Sequence, residues 1–388
     1  MTDSARPGPQ PRLHLPTLAP SVRTFLSTEA GGAVLLLVAT VVALVWANLA
    51  PGTYAHLWST TAGVHVGGAR LELDLHQWVN DAAMAVFFLV VGLEISREAT
   101  VGDLRDPRTI AVPALGALGG LTVPALIYLL VNHGGAAAHG WGVVMSTDTA
   151  FLVGVLALFG PRCPDQLRLF LLTLAIVDDI GAITVMAVFY TPHVAWLPLG
   201  AAVVLTLAIV ALRWLRIWRL GPYTVVGVLL WLAVHASGVH ATLAGVLVGL
   251  LLPARPPARE HADSVPTWAR RLQERTTADR AHLTELAARA AVPAGDRAQR
   301  LLHPWSAYVV VPLFGLANAG IRLDGESLSA ALHSRITLGI VLALVLGNAI
   351  GIVGASTLAL RGHLGELPGR VRYGHLLGGA ILAGIGFT

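Results

Sequence analysis

The sequence has little charge, no lysine and a single cysteine. Charged residues make up 12% of its 388 residues, hydrophobic residues make up 55%, and the mean hydropathy is +0.69. This balance excludes an ordinary soluble globular domain. The lone cysteine, Cys163, excludes an internal disulfide. All 26 basic residues are arginine, so any positively charged site in the chain depends on arginine or on protonated histidine.

Long apolar runs fill most of the chain. About 20 apolar residues in a helix cross a hydrocarbon core of about 30 Å. The sequence predicts ten such spans, complete or nearly so, and an eleventh that stops at the last residue. They are approximately Gly31–Ala50, Trp78–Ile95, Ile110–Val131, Trp141–Phe159, Leu167–Tyr190, Ala195–Leu212, Pro222–His235, Gly238–Leu252, Trp305–Ala319, Leu338–Leu360 and Gly374–Thr388. We therefore expect an all-α polytopic membrane protein.

The arginines alternate between rich and poor loops. Counted along the predicted loops, 23 arginines fall on one side of the membrane and 3 on the other. The positive-inside rule makes the rich side cytoplasmic, which places the N-terminus in the cytoplasm. The net charge of +4 then reflects membrane topology and not a nucleic-acid surface.

Two segments lie outside the predicted spans. Residues 1–24 are rich in proline and are expected to form a disordered cytoplasmic tail. Residues 25–388 form the transmembrane domain, with residues 255–302 inserted as a cytoplasmic loop. This loop mixes nine arginines with six acidic residues. It is predicted to be helical in part, from Trp268 to Ala291, or disordered, and to serve as a solvated linker or as a regulatory segment.

Two adjacent acids, Asp178 and Asp179, stand in the middle of the run Leu167–Tyr190. One ionised side chain at the centre of a bilayer costs about 2.5–3.5 kcal/mol even on lenient insertion scales. A lipid-facing pair, whose charges also repel each other, is therefore excluded. The pair is expected to line a protein or water cavity where it meets a cation or a proton. The alternative is a turn at the end of a helix, where both acids would be solvated.

A second polar cluster, Ser146 to Thr149, interrupts the predicted fourth span and contains Thr147 and Asp148. Hydroxyl groups satisfy backbone groups that an unwound turn sets free. Transporters use such broken helices to present backbone groups near the bilayer midplane. Asp148 alternatively caps a half-helix, a role that is compatible with ion binding.

The remaining ionisable groups of the spans lie near span ends. Asp81 and Glu94 are near the two ends of the second span, where a structural and a functional role are equally consistent with the sequence. His240 opens the eighth span and is either an interfacial anchor or a sensor.

Three carboxylates in apolar surroundings suit a small hard cation or a proton. Burial and a like-charged neighbour both favour the protonated form of a carboxylic acid, so one member of the pair can exchange a proton near neutral pH. A proton and a cation that compete for the same oxygens expel one another. Alternating exposure of that site to the two sides produces exchange, without an enzyme reaction or a cofactor.

Six stretches of the sequence together have a specific pattern. They are NDAAMAVFFLVVGLEISRE (Asn80–Glu98), STDTAFLVGVLALFG (Ser146–Gly160), LAIVDDIGAI (Leu174–Ile183), SGVHATLAGVLVG (Ser237–Gly249), LHPWSAYVVVPLFGLANAG (Leu302–Gly320) and GIGFT (Gly384–Thr388). Over a region from about Phe25 to the last residue, the sequence resembles the NhaA-type bacterial Na⁺/H⁺ antiporters.

The resemblance implies a fold, an activity and a location. The fold is an inverted-repeat transporter with discontinuous crossing helices. The activity is exchange of Na⁺ or Li⁺ for H⁺ by alternating access, for pH and sodium homeostasis. The protein would be a homodimer in the bacterial inner membrane.

The resemblance also implies roles for residues. Asp178 and Asp179 would bind the cation and carry protons. Thr147 and Asp148 would lie in the broken helix, where the acid offsets the positive ends of the half-helices. The residues implied in the pH response are Glu94, Arg97, Glu98, His240 and His303.

Two features depart from the family. Its members usually carry a lysine in the tenth span, within a GKPLGI-like string, whereas this chain reads GNAIGI and has Asn348 there. Asparagine can neither exchange a proton nor hold a charge, so the aspartates are expected to be the proton carriers. The family also continues beyond GIGFT, so we expect the C-terminal helices to be truncated.

Two other functions share parts of this pattern. A Na⁺-coupled symporter for an organic anion would need a larger polar cavity. An intramembrane aspartyl protease also places two aspartates in membrane helices, but it normally has a GxGD string at one of them. Here Ala175–Ile176–Val177 precede the pair, which argues against the protease.

Overall fold

A computed structural model describes residues 29–66, 69–100, 107–145, 152, 165–190, 194–254, 259–367 and 372–384. These residues form fourteen named helices and one β-hairpin. The helices are α1 (Glu29–Leu49), α2 (Pro51–Trp58), α3 (Leu75–Thr100), α4 (Pro107–Val131), α5 (Asp165–Phe189), α6 (Trp196–Trp214), α7 (Leu220–Ala236), α8 (Thr242–Leu251), α9 (Arg259–Glu274), α10 (Ala278–Ala291), α11 (294–318), α12 (Gly325–His333), α13 (Arg335–Arg361) and α14 (Tyr373–Ala383). Two short helical turns, Gly135–Ala138 and His139–Val144, follow α4.

Five of these helices, α1, α3, α4, α6 and α13, are long and apolar enough to cross a membrane by length and composition. Helices α7, α8 and α14 are shorter and apolar. Outward-facing residues such as Leu197, 88% exposed, and Leu49, 81% exposed, would meet water in a soluble protein. The all-α membrane character predicted from the sequence is confirmed. The predicted tail, residues 1–24, and most of the predicted fourth span lie outside the described residues.

Three helices contain a π-helical turn, in which the backbone bonds i to i+5. These turns are Trp78–Ala83 in α3, Ser306–Val310 in α11 and Ala343–Gly347 in α13. Such turns are frequent at functional sites. The turn in α13 ends directly before Asn348, and the turn in α3 contains Asp81.

Glycine allows two helix pairs to pack with their backbones in contact. On α8, a β-carbon at Gly245 or Gly249 would fall within 2.5 Å of a backbone carbonyl oxygen of α3. On α4 and α13, Gly119 and Gly351 oppose each other in the same way. Small residues at helix interfaces let backbones approach closely inside a membrane. Helices α3–α8 and α4–α13 therefore form two tightly packed pairs.

The largest buried cluster joins α4, α5, α13 and α14. Its members are Val112, Ala117, Leu152, Leu167, Phe170, Leu171, Leu174, Ala175, Ile352, Ala359, Leu376, Ala380 and Ala383. Leu171, fully buried, also lies against Gly379 of α14. This cluster fixes the part of α5 that leads into the aspartate pair.

Three features differ from the sequence-based expectation. Strands β1 (Thr61–Val66) and β2 (Ala69–Asp74) pair as an antiparallel hairpin, which was not predicted. The inserted loop is helical, but its first helix, α9, begins at Arg259, nine residues before the predicted start. Helix α11 begins at Ala294, inside the predicted loop, because its polar first turns extend beyond the apolar run.

Candidate functional site

The aspartate pair lies within one continuous helix and is buried. Asp178 is 2% exposed and Asp179 is 8% exposed, and α5 continues from Asp165 to Phe189 around them. The alternative, a solvated turn at a helix end, is therefore wrong. Two acids buried side by side in an apolar helix need a partner for their charge or must hold a proton.

Residues one turn earlier on α5 define the surroundings of the pair. Leu174 and Ala175 belong to the large cluster with α4, α13 and α14. Ile176 is buried against Val91 and Ile95 of α3. Because residues four apart lie on the same face of a helix, Asp178 and Asp179 continue the buried face of α5. The pair thus sits where α5 meets both tightly packed helix pairs.

Helix α4 positions α5 through glycine contacts. A β-carbon at Gly116 would lie 3.6 Å from Leu174 Cδ1 and 3.7 Å from Ile352 Cγ2 of α13. Five residues later on α4, Leu121 fills the space beside Gly181 of α5. Asp178 lies four residues after Leu174 and three before Gly181, on the same face of α5, so it faces the middle of α4.

Asn348 lies beside Gly120 of α4, one turn along α13 from Ile352, which shares the contact at Gly116 with Leu174 of α5. Its side chain is 3% exposed, and its Oδ1 would be 3.4 Å from a β-carbon at Gly120. The neighbouring Gly347 packs on Pro124. Where members of the NhaA-type family usually carry lysine, this chain therefore has a buried, neutral amide. It lies beside α4, the helix that packs on α5.

Ser356 is a buried polar group that the sequence analysis did not single out. It is 0% exposed, its Oγ has no hydrogen-bond partner among the residues that the structure describes, and this Oγ would lie 2.6 Å from a β-carbon at Gly116. It follows Ile352 by one turn on the face of α13 that packs on α4. A serine in an apolar helix gives no sequence signal of its own, since its hydroxyl can bond to its own backbone.

At one end of α3, two of the predicted pH-response residues line a common cavity. This cavity of about 410 Å³ is lined by Arg97, Asp296, Gln299, Arg300, His303 and Pro304. Glu94 and Glu98 are half-buried on the same last turns of α3. The structure therefore brings Arg97 and His303 together, on α3 and α11.

At the other end of α3, Asp81 faces His235 of α7. The Asp81 Oδ2 to His235 Nδ1 distance is 3.5 Å, and the two side chains are 31% and 27% exposed. His240 also acts electrostatically on Asp81. Asp81 lies about 24 Å along α3 from Arg97, at 1.5 Å per residue, so His240 lies apart from the other pH-response candidates.

His235 was missed by the sequence analysis, although a signal was present. Trp231 and His235 are four residues apart, a spacing that places both on one face of α7. Thr147 and Asp148, predicted to belong to the site, lie outside the described residues. Within the described part of the chain, no group of three or more His, Cys, Asp or Glu residues could hold a metal ion.

Known proteins with similar sequences are Na⁺/H⁺ antiporters. The sequence profile of the family described as Na⁺/H⁺ antiporter 1 matches residues 23–388. The chain is 62% identical over 389 residues to Na(+)/H(+) antiporter NhaA 3 of Frankia alni, an alignment that covers all of this chain and 84% of the relative. It is 43% identical over 386 residues to NhaA 1 of Salinispora arenicola, covering 99% of this chain and 58% of the relative. It is 40% identical over 370 residues to NhaA of Herminiimonas arsenicoxydans, covering 95% and 60%. The chain thus spans about three fifths of the length of the last two relatives.

Proposed function

Because the chain belongs to the Na⁺/H⁺ antiporter 1 family, a family of transporters and not of enzymes, we propose that it exchanges Na⁺ or Li⁺ for H⁺ across the bacterial inner membrane. The observation that carries the proposal is the burial of Asp178 and Asp179 side by side in the middle of α5. The role of this exchange is pH and sodium homeostasis.

Exchange follows from competition at this pair. An ionised pair attracts a dehydrated cation, whereas a protonated pair does not. Since burial makes an ionised carboxylate costly, binding of a cation or of protons to the pair is favoured. Alternating exposure of the pair to the two sides then moves one in exchange for the other. We further propose that Thr147 and Asp148, which lie outside the described residues, belong to a broken helix in which Asp148 offsets the positive ends of the half-helices.

The packing of α4 against α13 supports an inverted-repeat architecture. Gly116 of α4 faces Ser356 and Gly119 faces Gly351, so the two helices are antiparallel. Each contributes glycines to the same contact, as expected when two halves of opposite orientation meet.

Asn348 sets this chain apart within the proposed mechanism. A buried amide neither carries a proton nor repels a cation, so the protons exchanged come from Asp178 and Asp179. The arginine distribution supports an orientation with the N-terminus and the Arg97–His303 cavity in the cytoplasm. In this orientation the residues that respond to cytoplasmic pH are Glu94, Arg97, Glu98 and His303, and His240 lies at the extracellular end. We separately propose that the protein functions as a homodimer.

Transport in proteoliposomes tests the proposal. The full chain is reconstituted with a trapped pH-sensitive dye, and Na⁺, Li⁺ or K⁺ is added outside in turn. Na⁺ or Li⁺ should enter in exchange for lumenal protons and so alkalinise the lumen, whereas K⁺ should not. Asp178→Asn and Asp179→Asn should abolish the response, and Asp279→Asn, which removes an exposed acid of α10, should leave it intact. A wild-type response equal to that of Asp179→Asn would refute exchange.

A further inference from the structure

The π-helical turn Trp78–Ala83 of α3 is tied to three other parts of the molecule. Trp231 Nε1 of α7 donates to the carbonyl oxygen of Asp81 at 3.1 Å. Asn318 Nδ2 at the end of α11 donates to Asn80 Oδ1 at 3.0 Å. Trp78 Nε1 donates to the carbonyl oxygen of Ala62 in β1 at 2.8 Å. This turn is therefore a junction whose position depends on α7, α11 and the hairpin.

Beside the hydrogen bond from Trp231, the Asp81 side chain forms an ion pair with His235 that depends on protonation of the imidazole. Asp81 Oδ2 lies 3.5 Å from His235 Nδ1. The His235 ring stacks on Trp231, with centroids 5.6 Å apart and planes 15° apart, and Trp231 stacks on Trp78 at 6.1 Å and 21°. The stack holds the imidazole in place beside the carboxylate. Both side chains remain about one-third exposed, so both groups are accessible to the solvent.

We propose that Asp81 and His235 form a protonation-sensitive lock between α3 and α7 on the extracellular side. When His235 carries a proton, it attracts the Asp81 carboxylate and holds the two helices together. When extracellular pH rises and the imidazole becomes neutral, this attraction is lost. The imidazole of histidine changes charge between about pH 5 and about pH 8, a range that bacteria meet outside the cell.

Other ionisable groups around Asp81 modify the lock without replacing it. Those that act on its carboxylate within the described residues are His235 of α7, His240 before α8, and Asp74 and His76 at the start of α3. The Asp74 carboxylate is occupied as a helix cap, since it accepts from Gln77 N at 2.6 Å. From α11, the facing group is the neutral amide of Asn318. His235 is the group that combines direct contact with a fixed ring.

The lock has a route to the aspartate pair. Helix α3 runs from the Asp81 turn past Val91 and Ile95, which pack on Ile176 of α5. Ile176 precedes Asp178 by two residues. A shift of α3 relative to α7 therefore changes the packing beside the exchange site, and this part of the inference rests on the proposed function.

Hydrogen exchange in lipid nanodiscs tests the lock without requiring transport. Amide protection of residues 78–83 and 231–236 is measured between about pH 6 and about pH 8, after correction for the intrinsic chemical rate. In the wild type, protection should fall by up to about fivefold as pH rises, the scale of a half-exposed ion pair. His235→Gln and Asp81→Asn should remove this pH dependence. His56→Gln, which changes an exposed histidine of α2, should not.

Two results would overturn the lock. One is protection that does not change with pH in the wild type. The other is an unchanged pH dependence in both His235→Gln and Asp81→Asn. Since neither result depends on ion exchange, the lock and the proposed function fail separately. In proteoliposomes that do exchange, the lock further predicts that His235→Gln flattens the dependence of rate on external pH and leaves the dependence on internal pH intact.

Discussion

Gly119 of α4 and Gly351 of α13 meet backbone to backbone, so that a β-carbon on either residue would overlap the carbonyl oxygen of the other. A flexible side chain could move away from such an overlap, but a helix backbone cannot. The contact therefore sets the distance between the helix that carries Asn348 and the helix that supports the aspartate pair.

Gly351→Ala should separate α4 from α13. Forcing a methyl group into this contact costs about 1–3 kcal/mol, the usual range for overpacking. We expect a lower melting temperature in detergent and a reduced exchange rate. Gly354→Ala is the matched control, because a β-carbon at Gly354 on the same helix meets no atom within 4 Å. Equal melting temperatures for the two variants would show that the glycine contact does not determine the packing.

Asn348→Lys should move Na⁺ binding to lower pH. A positive charge placed near the aspartates favours their ionised form, so a cation could displace protons at a higher proton concentration. The midpoint of Na⁺ binding against pH should fall by about one unit or more. Asn348→Met supplies the length of lysine without the charge and should leave the midpoint in place. A midpoint that is the same in the lysine variant and the wild type would place Asn348 outside the electrostatic reach of the pair.

His303→Gln should make exchange less steeply dependent on internal pH. His303 lines a cavity with Arg97, Arg300 and Asp296, so a change in its charge alters the balance at the end of α3. Arg97→Gln should shift the same profile. His282→Gln, which changes an exposed histidine of α10, is the control. Internal-pH profiles that coincide for all three variants and the wild type would remove this cavity from the pH response.

Tyr54→Phe should lower stability by about 1 kcal/mol, the net value of a typical hydrogen bond. The Tyr54 hydroxyl donates to the carbonyl oxygens of Leu316 and Ala317, each at 2.9 Å, and so ties α2 to the end of α11. Burial raises the pKa of Tyr54 above its ordinary value of 10.0. Because the folded protein holds this proton more tightly than the unfolded chain, the stabilisation is complete below about pH 10 and declines as pH rises further.

Melting temperatures measured against pH check this prediction. The difference between the wild type and Tyr54→Phe should be constant up to about pH 10 and should shrink above it. Tyr373→Phe, which removes an exposed hydroxyl at the start of α14, should follow the wild type throughout. A difference that grows in alkali would reverse the sign of the effect and contradict the assigned role of the hydroxyl.

The helices and the aspartate pair could be predicted because their physical cause is local in the sequence. Apolar runs of membrane length specify helices, and the energetic cost of Asp178 and Asp179 in such a run indicates a protected site whatever the fold around them. The β-hairpin was also accessible, since VHVGGARLELD alternates apolar and polar residues around a Gly-Gly pair.

Contacts between distant residues could not be predicted in this way. Asp81 and His235 are separated by 154 positions, and only the packing of α3, α7 and α8 brings them together. The opposition of Gly119 and Gly351 likewise depends on the relative depth of two helices, which hydropathy leaves undetermined. Asn348 drew attention through its departure from a family pattern, whereas its location beside Gly120 required the structure.

Na⁺ binding to the purified full chain, measured with radioactive sodium at a series of pH values, tests the central claim most directly. The account predicts that protons compete with Na⁺, so that apparent affinity rises with pH, and that Asp178→Asn and Asp179→Asn abolish binding while Asp279→Asn preserves it. Na⁺ binding that is independent of pH, or that survives in both site variants, would contradict a cation and proton exchange site at Asp178 and Asp179.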